Sequence, residues 1–166
     1  MITDRTGDLL GQVDLELIAH QVNCKGAMGA GLAKAIAHRY PKVYQKYRPI
    51  TLAYGEKLMG TFAAVGTDGR TIRLNRLVEG DFCLVVNVFA QKGYGRGRRQ
   101  TDYKAFERAF AKLKNEMVAR GVRTVGVPHG IGCGLAGGDW NLVYGILDRI
   151  FGHDDRVELV IVSFEP

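Results

Sequence analysis

The chain has little of what would tie it to a disulfide framework, a metal or a membrane. It carries three cysteines, Cys24, Cys83 and Cys133, and no Cys-x-x-Cys pair. An odd, scattered set argues against a disulfide scaffold or a structural zinc site and for a reducing compartment. The four histidines, at 20, 38, 129 and 153, lack metal-ligand spacing, so no metal and no cofactor is expected. No run approaches the roughly 18 apolar residues of a membrane span, and the first residues hold no apolar leader, so a cytoplasmic protein is expected. There is no Gly-x-x-x-x-Gly-Lys-Ser/Thr, which sets aside an ordinary P-loop nucleotide hydrolase. No Cys-x5-Arg phosphatase loop occurs. Repeats, low-complexity segments and linkers are also missing. At 166 residues the chain reads as one domain, 1–166.

Glycine, by contrast, is abundant: 22 residues, clustered in connections. Five of them, at 130, 132, 134, 137 and 138, lie between an apolar run ending at Val127 and an amphipathic run from Trp140 to Phe151. Strand, glycine loop and helix start make an anion site. Glycine allows close backbone approach and positive φ, and a first helical turn offers unpaired N–H groups to a phosphate. Gly132-x-Gly134-x-x-Gly137 formally matches a dinucleotide fingerprint. That motif belongs in a first βαβ unit with an acid about 20 residues on, whereas only one strand follows here, so a nicotinamide enzyme is not the reading.

A second loop of the same kind comes early. The run Leu15 to Val22 has apolar residues on both faces, as an inner strand does, and leads into Asn23-Cys-Lys-Gly-Ala-Met-Gly-Ala-Gly-Leu32. A helix follows with Leu32, Ile36 and Tyr40 on one face, up to Pro41. Ile2 marks an edge strand. Leu58–Val65 and Thr71–Leu74 read as a hairpin across Thr67-Asp68-Gly69-Arg70. Phe82–Ala90 is a central strand whose Asn87 needs a partner. Tyr103–Ala119 is a long helix with a core stripe at Phe106, Phe110, Leu113 and Met117, closed by Gly121. Val157–Val162 is the last inner strand. This order predicts a three-layer α/β/α fold on a mixed sheet. Ligands bind beyond the carboxyl ends of such strands, so both glycine loops are expected at one crevice.

The net charge is +6, which suits a phosphate-bearing ligand. Gln91–Gln100 is strongly basic and reads either as a solvated excursion or as a flap over a polyanion. His20, near the end of the first inner strand, is either a structural histidine or an acid–base group beside a phosphate. Cys133 is either a small packing residue or a thiol activated by a helix N-terminus. Asp139 reads as a helix cap.

These motifs together resemble the macro domain. Gly7-Asp8-Leu9-Leu10 resembles the family's first motif, whose Asp holds the adenine amino group. The stretch from Asn23 through Met28, Gly29, Ala30, Gly31 and Leu32 is similar to its first ligand loop, where the Asn approaches the distal ribose. Gly130, Ile131, Gly132, Cys133, Gly134, Leu135 and Ala136 are similar to its diphosphate loop. Phe164 stands where an aromatic stacks on adenine. The resemblance implies a six-stranded mixed sheet between helices and a ligand that is ADP-ribose or a 1″-substituted derivative, including ADP-ribosylated protein or nucleic acid. His20-Gln-Val-Asn-Cys with Arg39-Tyr-Pro-Lys-Val-Tyr-Gln-Lys-Tyr resembles the branch of ADP-ribose-1″-phosphate phosphatases and implies a catalytic His20. That branch pairs its His with a Ser, and Ala27 stands there. A related ADP-ribosyl hydrolase branch implies Lys92 as a catalytic Lys, but its acid position holds Ala136. A hydrolase acting at C1″ is therefore the expectation, and a non-catalytic ADP-ribose reader the alternative.

Overall fold

The computed structural model describes residues 1–78 and 83–165. The chain runs β1 (Ile2–Thr6), β2 (Leu17–Asn23), α1 (Gly31–Arg39), α2 (Pro41–Tyr54), β3 (Phe62–Gly66), β4 (Leu84–Gln91), α3 (Tyr103–Arg120), β5 (Thr124–Pro128), α4 (Trp140–Phe151) and β6 (Glu158–Ser163). Two short 3-10 turns, Leu9–Gly11 and Gly55–Leu58, fill connections. The strands form one six-stranded mixed sheet in the order β1-β6-β5-β2-β4-β3, parallel throughout except for β3 against β4.

Strand alternation gives each face its own core. Leu17, Ala19, Val86, Val88, Val125 and Leu159 face α3 and α4, where Phe106, Phe110, Leu147 and Phe151 are buried. Ile18, Val85 and Val160 face the other way, against Leu9, Leu15, Ile36 and Val43. Tyr47 and Phe89 complete that side. The helix ends follow the sequence. Asp102 and Asp139 accept from backbone N–H groups at the starts of α3 and α4, and Gly121 closes α3 in the left-handed region. Pro41 occupies the first turn of α2, where its missing N–H costs nothing.

The expected hairpin is a correction. Thr71 makes a single bridge to Val65, and no strand follows it. The antiparallel partner of β3 is β4. The Asp-Gly turn forms, with Gly66 N–H donating to the Arg70 carbonyl at 2.8 Å. Beyond it, a fully buried apolar strand outcompetes the half-exposed 71–74 segment for pairing. Leu58, expected to open this strand, instead closes the 3-10 turn Gly55–Leu58, and β3 starts at Phe62. Phe82, expected to open the central strand, lies outside the described residues.

Five parallel strands set their carboxyl ends along one edge of the sheet. The connections at 7–16, 24–30, 92–102 and 129–139 all leave that edge, as does the segment after Ser163.

Candidate functional site

Between β2 and β5, at that edge, lies a crevice of about 600 Å³. Both glycine loops line it, as the parallel order requires. His20, Asn23, Gly29, Ala30, Gly31 and Leu32 come from the early segment. Gly130, Ile131, Gly132, Gly134, Leu135 and Ala136 come from the late one. The other expected site residues stand apart. Asp8 is exposed and accepts from Leu10 N–H at 3.0 Å, capping the 3-10 turn. Leu9 and Met28 are buried in the core. Phe164 is exposed beyond β6. Cys133 packs against the core, and burial, then Asp139, push its thiol up to about 11. It is a protonated packing residue rather than an activated nucleophile. Lys92 lines a neighbouring cavity, its Nζ 3.9 Å from the Glu56 carboxylate.

The amides facing the crevice explain what it can hold. α1 begins at Ala30 with no side-chain cap, unlike α3 and α4. Its first-turn residues Gly31, Leu32 and Ala33 line the crevice, so their N–H groups await an acceptor. An anion there is worth about 0.3–1 kcal/mol when exposed and up to about 2 when partly buried. The late loop offers amides of its own rather than those of the first turn of α4. The first turn of α4 is already occupied by Asp139, whose carboxylate accepts from Asn141 N–H at 2.9 Å. The loop instead folds into turns, Cys133 N–H to Gly130 O and Gly138 N–H to Gly132 O. Among the described residues the amides of Gly132, Gly134, Leu135 and Ala136 then donate to no protein acceptor.

Side-chain networks hold both loops. In the first, Asn23 Oδ1 accepts from the N–H groups of Lys25 and Ala27 and from the Tyr47 hydroxyl, while Nδ2 donates to the Ala27 carbonyl at 2.8 Å. Asn23 therefore shapes the loop as well as lining the crevice. In the second, Gln21 Nε2 donates to Gln91 Oε1 at 2.8 Å and to Thr101 Oγ1 at 2.9 Å. The Thr101 hydroxyl donates to the Gly132 carbonyl at 2.6 Å. The amides of Gln100 and Thr101 both donate to the Ala136 carbonyl. That Tyr47, Gln21, Gln91 and Thr101 hold the loops is not visible in the sequence, since the partners they bind there lie tens of residues away.

His20 sits beside Asn87 across the β2–β4 ladder, Nε2 to Oδ1 2.7 Å, and is 2% exposed. This is the partner Asn87 required, although its Nδ2 remains buried without one. Burial lowers the His20 imidazole to about 4, against the opposing Asn87 hydrogen bond. At neutral pH the ring is uncharged. Because Asn87 Oδ1 only accepts, Nε2 carries the proton and Nδ1 is the acceptor. No cluster of three His, Cys, Asp or Glu among the described residues could hold a metal ion. No helix among them is long and apolar enough to cross a membrane.

The chain has the macrodomain fold. It is similar along its whole length to the macrodomain of Mycobacterium tuberculosis DarG, at 28% identity and a TM-score of 0.78, covering 100% of this chain and 98% of that one. Thermosipho africanus DarTG in complex with ADP-ribose shares the fold at 18% identity and a TM-score of 0.74, over 96% of this chain and 41% of that one. A DNA ADP-ribosyl glycohydrolase of Mycobacterium tuberculosis is 39% identical over 67 residues, 40% of this chain and 18% of the relative. An ADP-ribose 1″-phosphate phosphatase of Saccharomyces cerevisiae is 30% identical over 101 residues, 59% of this chain and 51% of the relative. The chain thus spans about a fifth and about half the length of these two enzymes. No protein-family model matches the chain.

Two outcomes follow. A methyl group at Gly132, where φ is +74°, would meet Gln21 Oε1 at 2.8 Å and Thr101 Oγ1 at 3.2 Å. Gly132→Ala should cost about 1–3 kcal/mol in urea unfolding, whereas Gly134→Ala, with nothing within 4 Å, should be near neutral. Equal effects would contradict the Gln21–Thr101 lock. Separately, an unfolded chain protonates His20 near pH 6.5 and the fold only near 4. The unfolded state binds more protons between those values. The stability from a neutral His20 is therefore complete above about pH 6.5 and declines as pH falls towards 4, by up to roughly 3 kcal/mol. His20→Gln should flatten that part of the urea-midpoint profile. An unchanged slope would show that His20 is not the group responsible.

Proposed function

We propose that the crevice binds ADP-ribose and that the protein hydrolyses bonds at C1″ of the distal ribose. The observation that carries the reading is the convergence of unpaired amides from both glycine loops on one crevice. A diphosphate fits the late loop, between Gly132 and Ala136, and the uncapped start of α1 supplies donors opposite it. Asn23 and His20 line the crevice beyond these donors, and the distal ribose would lie there. Asp8 and Phe164, on the same sheet edge, would then meet the adenine. That stacking would be worth about 1–3 kcal/mol by analogy with base–aromatic contacts.

A neutral His20 with a low proton affinity is poorly suited to protonate a leaving group at pH 7. Its Nδ1 suits it to accept a hydrogen bond from the attacking water. Water adds at C1″, the bond to the 1″ substituent breaks, one proton of the water ends on the departing substituent, and ADP-ribose leaves with a 1″ hydroxyl. Lys92 follows the last residue of β4 and lines the neighbouring cavity, so its ammonium would offset charge on a departing group that extends out of the crevice past the loop wall. The relatives' names point to two leaving groups, a phosphate and a nucleic acid. A second reading, a reader that binds ADP-ribose and cleaves nothing, draws support from Ala27 and Ala136, which replace the hydroxyl and the acid of the catalytic branches.

Calorimetry with ADP-ribose should give one-to-one binding, and no binding at millimolar ligand would remove the crevice reading. ADP-ribose-1″-phosphate, an ADP-ribosylated oligonucleotide and an ADP-ribosylated protein should then be compared by product release. At least one should turn over, and His20→Ala should lower kcat by about 10²-fold or more. Binding without turnover of any of the three would establish the reader instead.

A further inference from the structure

Behind the crevice wall lies a second cavity, of about 500 Å³, which the proposed hydrolysis leaves unused apart from Lys92. Its lining includes Lys92, Arg98, Arg99 and Lys104 together with Thr101 and Tyr103. From Lys92 to Lys104 the chain places five cations and one acid in thirteen residues. The acid, Asp102, is spent as the cap of α3, accepting from Ala105 N–H at 3.0 Å. Lys92 has a distant, solvent-exposed pairing with Glu56. Arg96, Arg98 and Lys104 are exposed and have no carboxylate partner among the described residues. Arg99 lies flat over the Tyr103 ring, 4.5 Å from its centroid. The Tyr103 hydroxyl in turn accepts from Asp139 N–H at 2.9 Å, which fixes that ring to the end of the late glycine loop.

The same segment walls both cavities. Gln91 and Tyr94 face the crevice, while Lys92, Arg98 and Arg99 face the second cavity. Tyr94 is 64% exposed at the boundary. Past the late loop, His129 lies tilted against the half-buried Trp140, 4.7 Å between centroids, and Tyr144 meets Trp140 edge-on. Exposed cations interleaved with the exposed Tyr94 ring are what a single-stranded nucleic acid needs: the cations neutralise phosphates and the ring accepts an unstacked base. An acidic protein partner would use the cations and leave the ring without a role.

The geometry points to the second cavity and the loop 92–104 as a phosphate track for a single-stranded nucleic acid running past the mouth of the crevice. This rests on the proposed function for one point only, that the ADP-ribose removed in the crevice is carried by that strand. The track and the crevice are joined through Thr101, whose hydroxyl holds the Gly132 carbonyl.

The test is fluorescence anisotropy with an unmodified, labelled single-stranded oligodeoxynucleotide of about a dozen nucleotides, run over a salt series beside ADP-ribose calorimetry. Binding should weaken as salt rises. Arg98→Gln and Lys104→Gln should each weaken it about five- to tenfold at low salt and reduce the log–log slope by about 0.7, with ADP-ribose affinity unchanged. Absence of strand binding at low salt, or variants that bind the strand like the wild type, would overturn the track. Displacement of the strand by poly-glutamate of equal charge would overturn it in favour of an acidic protein partner. If ADP-ribose alone fails to bind, the crevice reading falls and the track stands as a strand-binding site.

Discussion

A helix that starts without a cap, opposite a loop whose amides point at no protein acceptor, leaves a set of N–H donors that only a ligand or solvent can satisfy. Backbone donors are nearly always paired within a fold; Asp102 and Asp139 cap the starts of α3 and α4, and α2, which has no side-chain cap, opens on Pro41. Under the proposed function, the amides of Gly31–Ala33 and of Gly132, Gly134, Leu135 and Ala136, which have no acceptor among the described residues, make the crevice an anion site. The supporting side chains keep those donors from collapsing onto one another. Asn23, with Tyr47 behind it, fixes the early loop. Gln21 and Thr101 fix the late one from below. Unpaired amides alone would be a flexible loop; locked in place, they become a preorganised receptor with little ordering left to do on binding.

The sheet beneath carries a polar pair at some cost. His20 and Asn87 sit among Ile18, Val85, Val22 and Phe89, and Asn87 Nδ2 has no partner. An unpaired buried donor costs on the order of 1–3 kcal/mol. Apolar residues at both positions would pack without that loss. Retaining the pair keeps an uncharged imidazole at the crevice floor with its tautomer set by Asn87, which suits an acceptor role towards water better than a proton donor role.

Much of the fold was legible in the sequence because it is written locally. The almost continuous apolar character of 82–90 and the run 157–162 specified inner strands, and the three-and-four spacing of Phe106, Phe110, Leu113 and Met117 specified α3. Gly121 and Asp139 behaved as caps. The convergence of the two glycine loops also followed from parallel order alone. The hairpin at 67–74 failed because a turn signal says nothing about competition from a strand elsewhere in the chain. The glycines at 130–138 marked the late loop itself, and the early loop with its helix start was visible as a second segment of the same kind; that α1 starts without a side-chain cap was not. Gln21, Gln91 and Thr101 were invisible because their bonds join residues 70 to 80 positions apart, and apolar periodicity carries no trace of them. Lys92 looked equivalent to His20 by motif, yet it faces the other side of the loop wall.

The central claim is that both glycine loops close on one ligand. Backbone amide NMR during an ADP-ribose titration tests it most directly. The account predicts saturable, one-to-one shifts with a single affinity in Gly31–Ala33 and in Gly132–Ala136 together. Shifts confined to one loop, or two loops titrating with different affinities, would contradict it.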